Sequence, residues 1–153
     1  MSDKVIKNKS KNLYTQAVGR RRVAIARVRI YTSNSNVVWN DKVLKKGDVF
    51  VNEIPINEYF NYKTAKNRFL LPFRLTNTEG KFIVTVKVSG GGKSGQLDAT
   101  IHGISRVLDK IDKEKYHDIL KKHDLLTRDA RARQRRKVGM GGKSRRKKQS
   151  PKR

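Results

Sequence analysis

Apolar and polar residues alternate along two stretches of the chain, and each alternation predicts a β-strand with one buried face. In "RRRVAIARVRIY" the apolar face consists of Ala24, Ala26, Val28 and Ile30. Arg27, Arg29 and Tyr31 fall on the opposite face of that strand. In "KFIVTVKV" the apolar face consists of Phe82, Val84, Val86 and Val88. Both stretches are therefore expected to form half-buried strands.

Helical spacing follows the second of these strands. Apolar residues recur three or four positions apart in two segments, namely Leu97, Ile101, Ile104 and Leu108, and then Tyr116, Ile119, Leu120 and His123 in a helix over roughly 112–124. Further upstream, "VVW" and the following "ND" turn predict a hairpin ending at Trp39. After the strand in "VFV", a helix is expected near Pro55 that buries Ile56, Tyr59 and Phe60. Early strands and late helices predict an α+β fold with helices on one face of a sheet.

A glycine loop, "SGGGKSG", lies between the second strand and the first long helix. Gly90, Gly92 and Gly95 have the spacing of a dinucleotide-binding loop, but the residues further on are helical where a ribose-binding strand is required. The Gly-Lys-Ser at 92–94 lacks the earlier glycine of a phosphate loop, because Lys87 occupies that position. We therefore expect no free nucleotide and no cofactor here. Two interpretations remain open, a loop whose amides bind phosphate and a plain turn with Ser94 or Gly95 as the helix N-cap.

Charge changes this picture most. The chain has 153 residues with 38 Lys and Arg against 13 Asp and Glu, a net charge of +25. Residues 128–153 hold thirteen of the basic residues and one acidic residue, Asp129, with almost no apolar side chains. The self-repulsion of so many positive charges indicates a polyanionic partner that neutralises them. Nucleic acid is the expected polyanion. We expect residues 128–153 to be disordered in the free protein and extended on RNA.

Several other classes of protein are disfavoured. The absence of cysteine excludes thiolate metal sites and disulfides and fits a reducing compartment, and the three histidines form no metal-binding or catalytic motif. The sequence contains no apolar run of about eighteen residues, the length that would predict a membrane span. The first residues, "MSDKVIKNKSKN", match neither a secretory signal nor an organellar presequence. No metal, no small-molecule substrate and no membrane partner is therefore expected. The one alternative from another class is a nucleotide-binding RNA-processing enzyme that uses the loop at 89–95.

Five motifs, in order, resemble those of the bacterial-type family of the ninth small-subunit ribosomal protein. They are "VGRRRVAIARVRI", "VNEIPINEYF", "VSGGGKSGQ" with "HGISR", "LLTRDAR" and the terminal "KSRRKKQSPKR". The resemblance implies a two-layer α+β domain with a mixed sheet, like domain 2 of ribosomal protein S5, and a long extended basic C-terminal tail. It also implies a structural, non-enzymatic role in the ribosome and a cytoplasmic location, with an organellar ribosome not excluded.

The same resemblance implies the partners and the division of the chain. The partners are small-subunit ribosomal RNA in the head, peptidyl-site tRNA and neighbouring head proteins. We expect a basic arm at 1–16, a globular RNA-binding domain at 17–127 and the tail at 128–153.

The rRNA-binding candidates are the basic and loop residues of these motifs: Arg20, Arg21, Arg22, Arg27, Arg29, Gly91, Gly92, Lys93, Ser94, Gln96, His102, Arg106, Arg128, Arg131, Arg133, Arg135, Arg136, Lys137, Lys143, Arg145 and Arg146. The tRNA-binding candidates are the terminal Lys152 and Arg153. The sequence departs from the family in "TIHG", where Ile101 replaces an arginine expected to face RNA. It also departs near the end, where Ser150 and Pro151 stand in place of an aromatic residue.

Overall fold

The computed structural model describes residues 14–32, 37–39 and 42–134. Its strands are β1 (Tyr14–Arg21), β2 (Ala24–Tyr31), β3 (Val37–Trp39), β4 (Lys42–Leu44), β5 (Val49–Val51), β6 (Ile54–Pro55) and β7 (Ile83–Ser89). Its helices are α1 (Ile56–Tyr59), α2 (Ala65–Leu75), α3 (Lys93–Ile111) and α4 (Lys113–Lys122). The fold is α+β, as the sequence predicts.

Five strands form one mixed sheet in the order β1-β2-β7-β5-β6. Within this sheet the β5–β7 pair is parallel and the other pairs are antiparallel, so β1, β2 and β7 lie side by side as three antiparallel strands. β3 and β4 pair with each other as a separate antiparallel hairpin. The hairpin predicted around "VVW" is therefore confirmed.

α3 packs on the face of the sheet that carries the predicted apolar residues of β2 and β7, and α2 and α4 pack against α3. Ala24, Ala26, Val28 and Ile30 are completely buried, and they share one core with Leu97, Ile104 and Leu108 of α3. Every second residue of a strand lies on the same face of the sheet, and every third or fourth residue of a helix lies on the same face of the helix. The apolar residues of β2 and β7 therefore form one face, those of α3 form another, and these two faces pack together. Both predicted strands and the first long helix are confirmed.

The opposite face of the sheet is covered at one end, which the sequence pattern does not predict. Tyr31 and Ile83 pack with Val37, Trp39 and Leu44 of the β3–β4 hairpin in a second small core. Tyr31 is buried although it lies on the same face as the exposed Arg27. The second face is therefore exposed at the end away from the hairpin, where Ile25, Arg27 and Lys87 lie, and covered at the other end.

Two helices differ from the sequence-based expectation. α2 was not predicted from the sequence, and it contains Pro72 in its last turn. In α4, Leu120 is fully buried, but Ile119 is 40% exposed and His123 is also exposed. Only a narrow stripe of α4 contacts the core, so the predicted apolar face of this helix is too wide.

A close backbone contact holds α3 on the edge strand β1. A Cβ atom at Gly19 would overlap the carbonyl oxygen of Ala99 and the backbone of Gly103. A Cβ atom at Gly103 would lie 2.6 Å from Val28 Cγ2 and 3.2 Å from the Gly19 nitrogen. Strand and helix can approach this closely only because both positions lack a side chain.

This contact generates a prediction about stability. Gly103→Ala should lower the free energy of unfolding by about 3 kcal/mol, since a methyl group there forces a shift of α3 or of Val28. Gly92→Ala is the matched control, because a Cβ at Gly92 meets nothing within 4 Å and its φ of −110° suits any residue. Denaturant unfolding measures both. Equal stability of the two variants would contradict the close-packing explanation.

Candidate nucleic-acid interface

Two of the predicted binding motifs meet at one end of the sheet. The β1–β2 turn, which contains Arg22 and Val23, packs against the glycine loop that follows β7. A Cβ at Gly90 would lie 2.5 Å from the Val23 carbonyl oxygen, and one at Gly91 would lie 3.2 Å from Ala24 Cβ. Gly90 also has a φ of +73°, which favours glycine. The glycines thus let the loop sit directly on the arginine-rich turn.

The loop ends where α3 begins, and this settles the position of the helix N-cap. Gly92 is the N-cap and Lys93 is the first helical residue, so Ser94 and Gly95, the caps in one of the two open interpretations of the loop, are not the cap. Within the described part of the chain, no side chain caps this end. The first amides of a helix lack intrahelical acceptors and carry partial positive charge. This end of α3 is therefore chemically suited to a phosphate oxygen.

Two candidate residues in the loop region are engaged with the body. Lys93 Nζ lies 3.3 Å from the centroid of the Tyr59 ring and donates to the Tyr59 carbonyl oxygen at 3.2 Å. Gln96 Nε2 donates to the Gly90 carbonyl oxygen at 3.1 Å, and its Oε1 accepts from the Tyr59 hydroxyl at 2.9 Å. Lys93 and Gln96 thus brace the glycine loop against α1, whereas Ser94 is exposed.

Three side chains of α3 reach the outer edge of β1. Arg106 Nη1 donates to the Val18 carbonyl oxygen at 2.6 Å, and Lys110 Nζ donates to that of Gln16 at 3.2 Å. His102 Nδ1 accepts from the Arg20 backbone amide at 3.3 Å. These bonds occupy polar groups of an edge strand that would otherwise be open to pairing with another chain. Arg106 and His102 therefore have a structural role in addition to the predicted contact with RNA.

The environment of His102 disfavours its charged form. Burial, followed by the nearby Arg106 guanidinium, lowers the pKa of the imidazole below its ordinary value of 6.5. A neutral ring is also what the geometry requires, because Nδ1 must keep its lone pair to accept from the Arg20 amide. His102 is thus positioned as a neutral acceptor beside several arginines.

Arg21 joins the turn to α3 and to the start of the predicted tail. Its Nε lies 3.6 Å from Asp98 Oδ2, and its Nη1 lies 3.0 Å from Asp129 Oδ1. Asp98 in turn pairs with Arg68 of α2 at 2.6 Å. These residues line part of a pocket of about 220 Å³ that also includes Arg20, Ile101, His102, Asp124, Leu125 and Thr127. The turn, α3 and the residues after α4 therefore converge on one end of the molecule.

Ile101, the departure from the family pattern, is 9% exposed and belongs to the main core. The two β2 arginines lie elsewhere, on the sheet face opposite the helices. Arg27 is exposed next to Lys87 of β7, and the Arg29 guanidinium carbon lies 4.9 Å from the centroid of the Tyr14 ring. Arg27 and Arg29 are therefore not part of the end at which the other motifs converge.

The predicted tail is described only at its start. Arg128, Arg131 and Arg133 are exposed and lie in a segment without regular secondary structure, although Asp129 and Arg131 contact Arg21. The remaining candidates lie outside the described residues: Arg135, Arg136, Lys137, Lys143, Arg145, Arg146, Lys152 and Arg153. β1 includes Tyr14, Thr15 and Gln16, which the sequence analysis assigned to the N-terminal arm.

Sequence reasoning missed residues whose role depends on distant partners. Asn52 has a positive φ and exchanges two side-chain bonds with the backbone of Val88, at 2.8 Å and 3.0 Å, which extends the ladder of β7 up to the glycine loop. Arg68 lies on α2, which the sequence did not predict. A local signal existed for Asn52 alone, because asparagine followed by another polar residue between apolar runs is typical of a tight turn.

Across the described ranges, no cluster of acidic, histidine or cysteine side chains is arranged to hold a metal ion. In the same part of the chain, no helix combines the length and the apolar character needed to cross a membrane.

A basic α+β domain in which an arginine-containing turn, a glycine loop and the segment after α4 converge has the features of an RNA-binding protein. The chain belongs to the family described as ribosomal protein S9/S16, whose model matches residues 19–153. Membership makes it a structural component of the small ribosomal subunit and favours that role over the enzyme alternative.

Similar proteins agree with this assignment. The small ribosomal subunit protein uS9 of Maridesulfovibrio salexigens is 42% identical over 129 residues, which are 84% of this chain and 89% of that protein. The protein of the same name from Dehalococcoides mccartyi is 41% identical over 130 residues, 85% and 89% of the two chains. That of Anaeromyxobacter sp. is 40% identical over 125 residues, 82% and 86%.

The lowered pKa of His102 predicts how stability depends on pH. In the unfolded chain the imidazole binds a proton near its ordinary pKa, whereas in the folded protein it does so only at lower pH. Between these values the unfolded state binds more protons, so stability is lost as pH falls below about 6.5. His102→Gln should therefore flatten the fall in unfolding free energy between about pH 7 and pH 5.

Urea unfolding at a series of pH values measures this effect. His123→Gln serves as the matched control, because it removes an exposed histidine and leaves His102 in place. The loss of slope should be specific to the variant at position 102. If the two variants change the pH dependence equally, His102 is not responsible for it.

Proposed function

We propose that this chain binds small-subunit ribosomal RNA in the head with the end of the molecule formed by the β1–β2 turn, the glycine loop and the start of the tail. One observation supports this most: the sheet and α3 bring together basic motifs that are about seventy and about thirty residues apart in the sequence. Converging cations neutralise several phosphates of one RNA surface at once, whereas scattered cations cannot.

The loop contributes in a different way from the arginines. Gly91 and Gly92 expose backbone beside the first turn of α3, and the helix dipole favours an anion there. Arg20 and Arg22 supply exposed charge next to that point, and Ser94 supplies a hydroxyl. Lys93 and Gln96 then support binding mainly by fixing the loop, as their contacts with Tyr59 and Gly90 indicate. The RNA-binding unit is thus a rigid loop flanked by flexible cations.

Two further contact regions complete the proposal. Arg27 and Arg29 face away from the helices and bind RNA that runs along the other face of the sheet. The basic residues from Arg128 onward follow RNA as an extended strand, because a single chain can pass between helices where a folded module cannot. Lys152 and Arg153, at its tip, contact the tRNA in the peptidyl site. An arginine suits that contact, since its guanidinium binds a phosphate through two donors.

The finer features of the assignment are part of the same proposal. A mixed sheet with helices on one face supports an arrangement like domain 2 of ribosomal protein S5. The partners in the particle are the rRNA of the head and neighbouring head proteins. The bacterial relatives support a cytoplasmic, bacterial-type ribosome.

A point variant tests the rRNA interface. Arg22→Gln should weaken binding to small-subunit rRNA and reduce the salt dependence of the affinity by roughly one unit of log–log slope, as expected for one lost phosphate contact. Lys113→Gln is the matched control, because Lys113 lies beyond the far end of α3, a helix of 19 residues and thus about 28 Å long. Titrations at several salt concentrations measure both. Identical slopes for the two variants would refute the location of the interface.

A truncation tests the tRNA contact. Removing only Lys152 and Arg153 should leave subunit assembly intact and weaken tRNA in the peptidyl site by about 1–3 kcal/mol, the range for hydrogen bonds to charged groups. Reconstituted subunits with full-length and truncated protein provide the comparison. If assembly suffers and tRNA affinity does not change, the tip is a scaffold element instead.

A further inference from the structure

Five charged side chains of alternating sign connect four parts of the molecule. They run in the order Arg68, Asp98, Arg21, Asp129 and Arg131, and neighbouring charged groups are 2.6, 3.6, 3.0 and 2.7 Å apart. Arg68 belongs to α2, Asp98 to α3 and Arg21 to the end of β1. Asp129 and Arg131 belong to the segment after α4. We refer to these five residues as the charge ladder.

The segment after α4 packs against the main core at Leu125 and Leu126, shortly before the ladder residues Asp129 and Arg131. The α4 C-terminus is closed by bonds from the Asp124 amide to the Lys121 carbonyl oxygen at 3.0 Å and from the Leu125 amide to that of Leu120 at 3.1 Å. Leu125 and Leu126 then pack against the main core. Apolar contact therefore holds the chain as far as Leu126, and the polar contacts of Asp129 and Arg131 follow three and five residues beyond it.

Asp129 organises the backbone where those polar contacts occur. Its Oδ1 accepts from the Arg131 amide at 3.0 Å, and its carboxylate accepts from Arg131 Nε at 3.0 Å and from Nη2 at 2.7 Å. Arg21 Nη1 bridges the Asp129 carboxylate at 3.0 Å and the Arg131 carbonyl oxygen at 3.2 Å. One arginine thus holds both the side chain and the main chain of this short turn. The hydrogen bonds from Arg131 lower the pKa of Asp129 far below its usual range, so the carboxylate stays ionised.

The position of this acid is notable because it opposes binding to RNA. Asp129 is the only acidic residue among the last 26, where thirteen residues are basic. A negative charge there repels phosphate and occupies two arginines that could bind it. An acid at this point therefore lowers the attraction to RNA unless its contacts contribute to binding in another way.

We propose that Asp129 is a positioning residue, which with Arg21 and Arg131 fixes the direction in which the basic tail leaves the body. The inference rests on the proposed function of the tail in RNA binding. Ordering a flexible chain costs conformational entropy when it binds. A turn that is already fixed in the free protein removes part of that cost and keeps the following residues near their target, which raises their effective concentration.

The test uses the full-length protein with a single charge removed. Asp129→Asn keeps the size of the side chain and breaks the ladder, and Asp118→Asn, on the exposed surface of α4, is the matched control with the same change in net charge. If net charge alone governs affinity, both variants bind small-subunit rRNA slightly more tightly than the wild type. If Asp129 positions the tail, Asp129→Asn binds roughly two- to tenfold more weakly, in line with the loss of two partly exposed ion pairs.

A second measurement reads the turn directly, without RNA. The Arg131 amide donates to the Asp129 side chain, and an asparagine could still accept this bond, so the variant for this measurement is Asp129→Ala. Hydrogen exchange of the Arg131 amide in the free protein should be several-fold faster in Asp129→Ala and unchanged in the matched Asp118→Ala. This readout reports local order and does not depend on the affinity of the tail for RNA.

A deletion of residues 135–153, measured in the same binding assay, separates the two levels of the proposal. If the deletion does not weaken binding, the tail does not bind RNA, and the proposed function of the tail fails together with the inference that rests on it. If the deletion weakens binding while Asp129→Asn binds as Asp118→Asn does, only the positioning role is overturned. Tighter binding by Asp129→Asn, or unchanged exchange of the Arg131 amide in Asp129→Ala, also overturns it.

Discussion

The close approach of α3 to β1 is the constraint on which the convergent end of the molecule depends, where the β1–β2 turn, the glycine loop and the segment after α4 meet. Gly19 and Gly103 allow two backbones to touch where any side chain would separate them. At this distance Arg106 and Lys110 can reach the carbonyl oxygens of β1, and His102 can accept from its amide. The same placement brings the N-terminus of α3 beside the β1–β2 turn. A helix held even slightly further out would lose these contacts together.

Two of the few acidic residues lie where they pair with arginines at the convergent end. Asp98 and Asp129 lie next to arginines at the convergent end, where uncompensated cations would repel one another. Ion pairs that are only partly buried, as these are, contribute little stability individually. Their value here is geometric, because a guanidinium held by a carboxylate is already oriented and the elements that carry the pair are held in register. The side chains at this end are therefore held in fixed orientations although many of them are positively charged.

Several candidate RNA-binding residues serve the fold and remain accessible. Arg106 protects the edge of β1 through one guanidinium nitrogen, and arginine has further donors. Lys93, by contrast, is held over the Tyr59 ring and bonded to a carbonyl oxygen, so its charge is partly satisfied within the protein. The basic residues of such a surface are therefore not equivalent, although the sequence alone makes them look alike.

The sequence by itself determined the strands β2 and β7, the helix α3, the net charge of +25 and the family of the chain. These features depend on local periodicity, composition and the order of motifs, all of which can be read from the sequence without the tertiary structure. It did not reveal α2 with its internal Pro72, the burial of Tyr31 under the hairpin or the N-cap at Gly92. Only the tertiary structure decided those features and the pairing of Arg21 with Asp98 and Asp129. For the ion pairs the physical reason is that they join residues dozens of positions apart, and their energies arise only after the sheet and helices have brought these residues within a few ångströms. For α2, the helix N-cap and Tyr31, packing in the folded protein overrides what the local pattern favours.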